Sequence, residues 1–244
     1  MQGIHEFILT EKKVAYINAL LKVGFDTIDF GSFVSPKAIP QMRDTAELVG
    51  KLDLSGTKSK LLSIILNKRG AEDAAAFDEI TYLGFPFSIS ETFQMRNGNS
   101  TISENLKRVE EVQTICVNKN KKLLIYISMA FGNPYGDEWS SDITIKWTQR
   151  LSQMGIMHFS LADTIGVSNP ENINYMFSSL IPALPDLEIG AHLHTTPDKW
   201  KEKVEAAYNS GCRSFDSAIK GFGGCPMAVS YTHLRAHGLR RISY

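Results

Sequence analysis

The sequence predicts an α/β protein with a parallel sheet, because short, mostly apolar runs alternate with amphipathic, helix-like segments along the chain. Seven strand–helix units of this kind leave two arrangements open, a doubly wound sheet and a (β/α)8 barrel. No G-x-G-x-x-G motif follows the first strand, which weakens the dinucleotide-binding form of the doubly wound sheet. In a barrel, functional side chains lie at the carboxyl ends of the strands, so those ends are where a site is expected.

The predicted strands share their short length and apolar character. In chain order they are residues 25–31, 60–66, 80–85, 122–129, 157–162, 187–194 and 212–219. The sequence contains no internal sequence repeat, low-complexity tract or Pro/Gly/Ser-rich linker, which favours one domain.

The helices between these strands are indicated by their end signals. Thr10 is a candidate N-cap for the first helix, and Thr101 with Glu104 forms a capping box before a later one. Three more helices are predicted: from about Glu138 to Gln153, from Asn169-Pro170 onward, and from Thr196-Pro197 to a C′ residue at Gly211.

Composition excludes several classes of protein. Of 244 residues, 43% are hydrophobic and 21% are charged, which is ordinary for a globular domain and unlike a disordered chain. Lys+Arg and Asp+Glu both number 26, so the neutral chain has no global attraction to nucleic acid or anionic lipid. The sequence contains no run of eighteen apolar residues, no secretory signal, and only three cysteines. We therefore expect a cytoplasmic protein with no nucleic-acid or membrane partner.

The most informative pair of side chains is His192 and His194, in GAHLHTT. Residues two apart on a strand face the same side, so both imidazoles are expected to point into the barrel at its functional end. Two neutral imidazoles that converge there suit a divalent metal ion. The alternative is two polar side chains that are hydrogen-bonded near the barrel mouth.

A glycine-rich loop with a thiol follows the last predicted strand, at residues 221–226 (GFGGCP). Its three glycines predict mobility, and the thiol of Cys225 could exchange a proton with a substrate. The alternative is a glycine-rich turn with an incidental thiol. Cys116 lies on the apolar stripe of a helix and Cys212 begins a strand, so both are predicted to be structural.

Acidic side chains occur in or directly after two strands. Asp163 follows strand 157–162 and is a candidate partner for a metal or a hydroxyl, or alternatively a cap for the loop backbone. Asp29 lies inside an apolar strand, where a carboxylate needs a partner. The next loop, 32–37 (SFVSPK), offers hydroxyls and a cation that could contact an anionic group, or it is simply solvated.

Several short motifs, in their order and spacing, resemble 3-hydroxy-3-methylglutaryl-CoA lyase, a metal-dependent TIM-barrel family. They are SFVSPK with IPQM downstream (32–37 and 39–42), GNPYG (132–136), LADTIGV (161–167), AHLH (191–194) and GFGGCP (221–226). The resemblance runs from residue 1 to about residue 228. The loop cysteine favours the lyase over related synthases, which share the H-x-H but lack this cysteine.

The resemblance implies cleavage of 3-hydroxy-3-methylglutaryl-CoA to acetyl-CoA and acetoacetate, with Mg²⁺ or Mn²⁺ as cofactor. It implies that His192 and His194 bind the metal, and that Cys225, His192 and Asp163 are catalytic. The residues implied to bind substrate are Gln2, Asp29, Ser32, Lys37, Gly223 and Gly224. The implied partners are an acyl-CoA substrate and a second copy of the chain in a homodimer.

Two departures from the family pattern bear on activity. The family's first strand ends in an Arg-Asp pair that is followed closely by a Gln. Here Gln2 matches that Gln, so the Arg-Asp pair and the first strand are expected to be absent from this sequence. A further Asn metal ligand of the family would fall near Leu234, where the resemblance has ended. We therefore expect residues 1–228 to form a TIM barrel without its first strand and last helix. Such a barrel would have two open edges, bind metal weakly and turn over slowly or not at all.

Residues 229–244 are expected to be a non-native tail, the alternative being a basic tail that binds an anionic partner. Two rival functions also stay open. A related lyase or aldolase would act on another 3-hydroxyacyl-CoA with the same barrel and metal site. A catalytically dead barrel would serve as a scaffold, which the intact H-x-H and cysteine loop argue against and the loss of the Arg-Asp pair argues for.

Overall fold

The computed structural model describes residue 4, residues 6–219 and the backbone of residues 240–243. The strands in these ranges are β1 (Thr27–Ser32), β2 (Lys60–Ile64), β3 (Ile80–Ser88), β4 (Lys122–Ser128), β5 (His158–Asp163), β6 (Glu188–Leu193), β7 (Ser214–Phe215) and β8 (Arg240–Ser243). The α-helices are α1 (Thr10–Leu21), α2 (Thr45–Val49), α3 (Lys68–Ala75), α4 (Glu91–Gly98), α5 (Ile102–Asn118), α6 (Ser141–Ser152), α7 (Pro170–Ala183) and α8 (Trp200–Asn209), and Pro40–Met42 is a 3-10 helix. None of the described helices has the length and apolar character that a membrane span requires.

The strands β1 to β7 form one parallel sheet in chain order, in which each strand pairs with the next. The sheet closes into a barrel through β8, which runs antiparallel to both β1 and β7. Of the two arrangements that the sequence left open, the barrel is therefore the correct one, and the α/β fold class is confirmed.

The short strand β8 corrects the expectation of two open sheet edges. Its backbone pairs with Thr27 and Ile28 of β1 on one side and with Ser214 and Phe215 of β7 on the other. Edge strands present unpaired N–H and C=O groups, and these bind an extended segment that comes within reach. Part of the segment 229–244 thus occupies the gap between the first and last parallel strands. The domain boundary predicted at residue 228 lies outside the described residues.

Alternate residues of each strand face opposite sides of the barrel wall. The outer side packs against the helices: on β3, for example, Leu83, Phe85 and Phe87 are at most 1% exposed. The inner side carries a separate apolar cluster of Leu62, Tyr82, Leu124 and Tyr126. Tyr126 pairs with Ser160 of β5. The next inward-facing residue of β5 is Ala162, which pairs with His192 of β6, so Tyr126 lies one layer deeper than His192. The apolar cluster therefore fills the interior below the strand ends and leaves the rim to polar groups.

The helix ends confirm most of the predicted capping signals. The Thr101 hydroxyl accepts a hydrogen bond from the Glu104 N–H, and the Glu104 carboxylate accepts one from the Thr101 N–H. Asn169 caps α7, which has Pro at its start. Thr10 as an N-cap is wrong: α1 begins at Thr10 itself, and its hydroxyl donates to a carboxylate oxygen of Asp44 at 2.8 Å. A tertiary partner has taken the hydroxyl that local sequence reasoning assigned to the helix end.

Other boundaries differ from prediction for identifiable reasons. The helices α2, α3 and α4 were not singled out in the sequence; each has eight residues or fewer, too short for a clear apolar period. Strand β3 continues beyond residue 85 through Pro86, because its pairing with β2 ends at Gly84 and β4 is its partner beyond that point. The last predicted strand, 212–219, is reduced to the two residues of β7. Helix α8 begins three residues after Pro197, because residues 197–199 form a turn.

Both described cysteines are structural, as predicted. Cys116 is 1% exposed and Cys212 is fully buried. Burial raises the pKa of the Cys116 thiol to about 12, so it stays protonated and unreactive at neutral pH.

The contact between β6 and β7 predicts a position, Gly190, where a side chain is poorly tolerated. A Cβ on Gly190 would lie 3.1 Å from the Ser214 hydroxyl oxygen and 3.2 Å from its carbonyl oxygen. We expect Gly190→Ala to lower the free energy of unfolding by about 1–3 kcal/mol, because the backbone of β7 has to shift. Gly56→Ala is the matched control: no heavy atom lies within 4 Å of the new Cβ there, so a change within about 0.5 kcal/mol is expected. Urea denaturation measures both variants, and equal stability of the two would contradict this packing.

Candidate functional site

The two histidines of the H-x-H sequence lie side by side at the carboxyl end of β6. The centroids of the His192 and His194 rings are 5.3 Å apart. The alternate residues Ile189 and Ala191 of β6 are buried in the outer core between barrel and helices, and Leu193, between the two histidines, packs against the same core, so the histidines face the other way. His192 also packs edge-on against Tyr126 of the interior cluster, at 5.6 Å between ring centroids. The predicted shared orientation of the two imidazoles into the barrel is confirmed.

Each imidazole is held through its Nδ1 atom. His192 Nδ1 lies 3.1 Å from a carboxylate oxygen of Asp216, and His194 Nδ1 lies 2.9 Å from the carbonyl oxygen of Thr164. Both partners accept hydrogen bonds, so each Nδ1 carries the proton and the lone pair of each neutral ring lies on Nε2. The hydrogen-bonded alternative left open by the sequence is thus present. The same arrangement is typical of histidines that bind a metal through their other nitrogen.

Asp216, directly after β7, is a site residue that the sequence analysis missed. Its side chain is 6% exposed and accepts hydrogen bonds from both His192 and the Ser160 hydroxyl, the latter at 2.8 Å. Its backbone N–H donates to the carbonyl oxygen of Ala191, which fixes it beside β6. The sequence did mark Asp216, because it is an acid inside a predicted strand, 212–219. The same feature had singled out Asp29 in strand 25–31.

Asp29 occupies the interior of the barrel on β1. Burial, together with the negative charge of nearby Asp216, raises the pKa of Asp29 to about 7, although the N–H of Gly31 donates to its carboxylate and opposes the shift. The sequence predicted that this acid needs a partner. Its neighbourhood instead destabilises the charged form, so the carboxyl group exchanges its proton near neutral pH.

Asp163 is 1% exposed and its carboxylate is saturated with donors. One oxygen accepts the N–H groups of Val167 and Ser168, at 2.8 and 3.1 Å. The other oxygen accepts the Ser168 hydroxyl at 2.6 Å and the Lys203 ammonium at 2.8 Å. Asp163 therefore makes the loop contacts that the capping alternative predicted. Lys203 is, after Asp216, a second buried group that the sequence analysis missed. Nothing local marked it, because Lys199 and Lys201 precede it in the same helical segment.

The loop after β1 holds its predicted residues in different settings. Ser32 is 5% exposed, and its hydroxyl accepts the N–H of Val34 at 3.1 Å, whereas Lys37 is exposed. A polar cavity of about 310 Å³ lies between this loop and α3, and Arg43 and Arg69 are among the residues that line it. Positive groups for an anion are present here, but they are these arginines, which the sequence analysis did not single out.

The remaining predicted site residues lie outside the described part of the chain: Gln2, Gly223, Gly224 and Cys225. Within the described residues, no group of three or more His, Cys, Asp or Glu side chains could hold a metal ion. The two imidazoles of His192 and His194 therefore fit a divalent cation as two of its ligands, fewer than a complete site requires.

Comparison with known proteins agrees with this architecture. The family model described as HMGL-like matches residues 1–230. Hydroxymethylglutaryl-CoA lyase of Bacillus subtilis is 31% identical over 230 residues, covering 93% of this chain and 76% of the relative. The cytoplasmic 3-hydroxy-3-methylglutaryl-CoA lyase of Rattus norvegicus is 32% identical over 93% of this chain, which spans 66% of that relative. A solved HMG-CoA lyase from Acinetobacter baumannii, in complex with coenzyme A and 3-methylmalate, matches with a TM-score of 0.86 at 30% identity, over 99% of this chain and 76% of that one.

The raised pKa of Asp29 predicts a pH-dependent loss of stability. The unfolded chain loses this proton near pH 3.8 and the folded metal-free protein near pH 7, so the contribution of Asp29 to stability falls as the pH rises between these values. We expect the free energy of unfolding of Asp29→Asn, relative to that of the parent chain, to rise over this pH range by about 4 kcal/mol at most. Denaturant unfolding at a series of pH values, in the presence of a chelator, measures the difference. Asp78→Asn removes an exposed carboxylate as a control, and a constant difference between parent and Asp29→Asn would contradict the assignment.

The contact between Asp216 and His192 predicts a role for Asp216 in metal binding. We expect Asp216→Ala to weaken Mn²⁺ binding by about 10–100-fold, because His192 loses the acceptor that orients its ring. Ser160→Ala is the control, because it removes a donor to Asp216 and leaves the histidine contact in place. We expect it to lower the affinity for Mn²⁺ less than Asp216→Ala does. Isothermal titration with Mn²⁺ compares the three proteins. Equal losses in both variants would show that the carboxylate does not act through His192.

Proposed function

Because the chain belongs to the HMGL-like family, we propose that it is a carbon–carbon lyase that cleaves 3-hydroxy-3-methylglutaryl-CoA to acetyl-CoA and acetoacetate. The observation that carries the proposal is the pair of imidazoles, His192 and His194, at the rim of a barrel that matches a solved HMG-CoA lyase. The coenzyme A in that solved structure supports an acyl-CoA substrate. The names of the relatives support the choice of acyl group.

The cleavage is a retro-Claisen reaction, and His192 is suited to begin it. Its Nε2 lone pair would accept the proton of the tertiary hydroxyl, after which the alkoxide electrons form the carbonyl of acetoacetate and the C–C bond breaks. Asp216 would stabilise the imidazolium through the Nδ1–H contact at 3.1 Å. The electron pair of the broken bond is left on the acetyl-CoA fragment as an enolate.

The enolate needs a proton, and we assign this step to Cys225. The thiol would protonate the enolate carbon, and the thiolate would regain a proton from solvent or from the imidazolium of His192. Gly223 and Gly224 precede Cys225 and would let its loop close over bound substrate and exclude water. Gln2, Asp29, Ser32 and Lys37 are proposed to contact the substrate, with Arg43 and Arg69 added by the cavity beside α3.

HMG-CoA lyases are metal-dependent, and His192 and His194 are the residues described here that would hold the ion, Mg²⁺ or Mn²⁺. When bound, the cation would hold the hydroxyl oxygen of the substrate and lower its pKa. The Nδ1 of His192 is occupied by Asp216, so Nε2 is the nitrogen for both proposed roles. One lone pair cannot bind a metal ion and accept a proton in the same step. The two roles of His192 therefore exclude each other at any given moment, so while His192 accepts the proton, His194 would be the described residue that holds the ion.

We place the protein in the cytoplasm, which the cytoplasmic rat relative supports. A homodimer is proposed from the family resemblance.

The proposal is tested by incubating the full chain with Mn²⁺ and 3-hydroxy-3-methylglutaryl-CoA and measuring acetoacetate. We expect slow, metal-dependent cleavage, because the described residues provide only two ligands for the ion. His192→Asn is expected to lower kcat/KM by about 100-fold or more, since it removes the base. Lys201→Met changes an exposed lysine and is expected to leave turnover unchanged.

The same assay separates the rival functions. Faster cleavage of a different 3-hydroxyacyl-CoA would replace the proposed substrate and keep the reaction type. If the folded chain cleaves none of these thioesters and shows no Mn²⁺ binding by titration, the lyase proposal fails in favour of a scaffold.

A further inference from the structure

Lys203 on α8 is a buried lysine whose side chain reaches the ends of β5 and β6. Its side chain is 4% exposed. Its ammonium donates to a carboxylate oxygen of Asp163 at 2.8 Å, to the carbonyl oxygen of His194 at 3.0 Å and to that of Gly166 at 3.3 Å. An ammonium has three protons, so these three acceptors use all of them. Removing a charge from water is costly, and these three acceptors offset part of that cost.

The ion pair with Asp163 fixes the loop that follows β5. The carboxylate accepts the N–H groups of Val167 and Ser168 while it binds Lys203, so one charged pair fastens both ends of residues 163–168. Gly166 has a φ of +75°, a left-handed conformation that directs its carbonyl to the same ammonium and that other residues rarely adopt.

This loop in turn holds the imidazole of His194. Thr164, next to Asp163, accepts the Nδ1–H of His194 with its carbonyl oxygen at 2.9 Å. Its hydroxyl accepts the N–H of Met129 at 2.8 Å, which ties the loop to the end of β4. Lys203 meanwhile binds the backbone carbonyl of His194 itself. One ammonium therefore supports His194 at the backbone directly and at the imidazole through the loop.

We propose that Lys203 is a positioning residue for His194, acting through its ion pair with Asp163 and its bond to the His194 carbonyl. The inference rests on the proposed function only in giving His194 a ligand role; the positioning itself is a property of the metal-free protein. Asp163 then serves the site by holding the loop, through its bonds to Val167, Ser168 and Lys203.

The test replaces Lys203 with methionine, which keeps an unbranched stem and removes the charge. Long-range ¹⁵N–¹H NMR of the histidine side chains, on the full chain in chelator, reports which ring nitrogen is protonated. The His194 signals are assigned by their loss in His194→Gln. In the parent chain we expect the Nδ1–H form alone, and in Lys203→Met a shift of both ring nitrogens towards the averaged values of a mixed population.

Lys201→Met is the matched control, because it makes the same change on the same helix at a side chain that is 71% exposed. It is expected to leave the His194 signals unchanged. A folded Lys203→Met protein with the parent His194 signals would overturn the proposal, whatever its melting temperature, because Lys203 would then be a stabilising residue alone.

Two further variants keep the proposal falsifiable if Lys203→Met does not fold. Asp163→Asn keeps the shape of the side chain and weakens the ion pair, and the double variant with Lys203→Met removes both buried charges. The proposal requires a mixed His194 population in whichever of them folds, and parent-like signals would overturn it. Where the parent binds Mn²⁺, each variant is expected to bind it about tenfold more weakly with an unchanged KM for the thioester. If the parent chain does not cleave the thioester, the lyase proposal is rejected. The NMR result would still decide whether Lys203 positions His194.

Discussion

The parallel pairing of β1 to β7 brings the carboxyl ends of these seven strands to one rim of the barrel, and the site depends on that convergence. His192 on β6, Asp216 after β7 and Ser160 on β5 come from segments that are distant in sequence, yet they form one hydrogen-bonded group. The alternation of side chains across the wall then decides which residues of each strand reach the interior. Gly190 allows β6 and β7 to approach closely enough for this group to form.

The interior of the barrel combines apolar walls with a small number of polar groups, and this combination sets their chemistry. Leu62, Leu124 and Tyr126 fill the space below the rim, so a charge at the strand ends is poorly solvated. Asp29 responds by holding its proton up to about pH 7. Asp163 differs from Asp29 because four donors, one of them an ammonium, contact its buried carboxylate. Two acids on different strands of the same barrel, Asp29 on β1 and Asp163 on β5, thus receive different roles from their surroundings.

Both histidines are oriented by acceptors that lie directly after other strands, Asp216 after β7 and Thr164 after β5. A carboxylate holds His192 and a backbone carbonyl holds His194, and in both cases Nδ1 carries the proton. The ion pair of Lys203 and Asp163 extends this support to α8, outside the barrel wall. The placement of the two imidazoles therefore depends on β5, β6, β7 and α8 together.

The sequence by itself determined the α/β class and the common direction in which His192 and His194 point, because the periods of strands and helices are local properties. The strand and helix pattern left the barrel and the doubly wound sheet both open. The sequence also identified the capping box at Thr101, which involves residues three positions apart. Only the tertiary structure decided the rest. Thr10 resembled an N-cap, but its hydroxyl donates to Asp44, and the ion pair of Asp163 with Lys203 was not visible in the sequence. Asp216, Lys203 and the strand at 240–243 gain their roles from partners far away in the chain, and a pattern of neighbouring residues carries no record of such contacts.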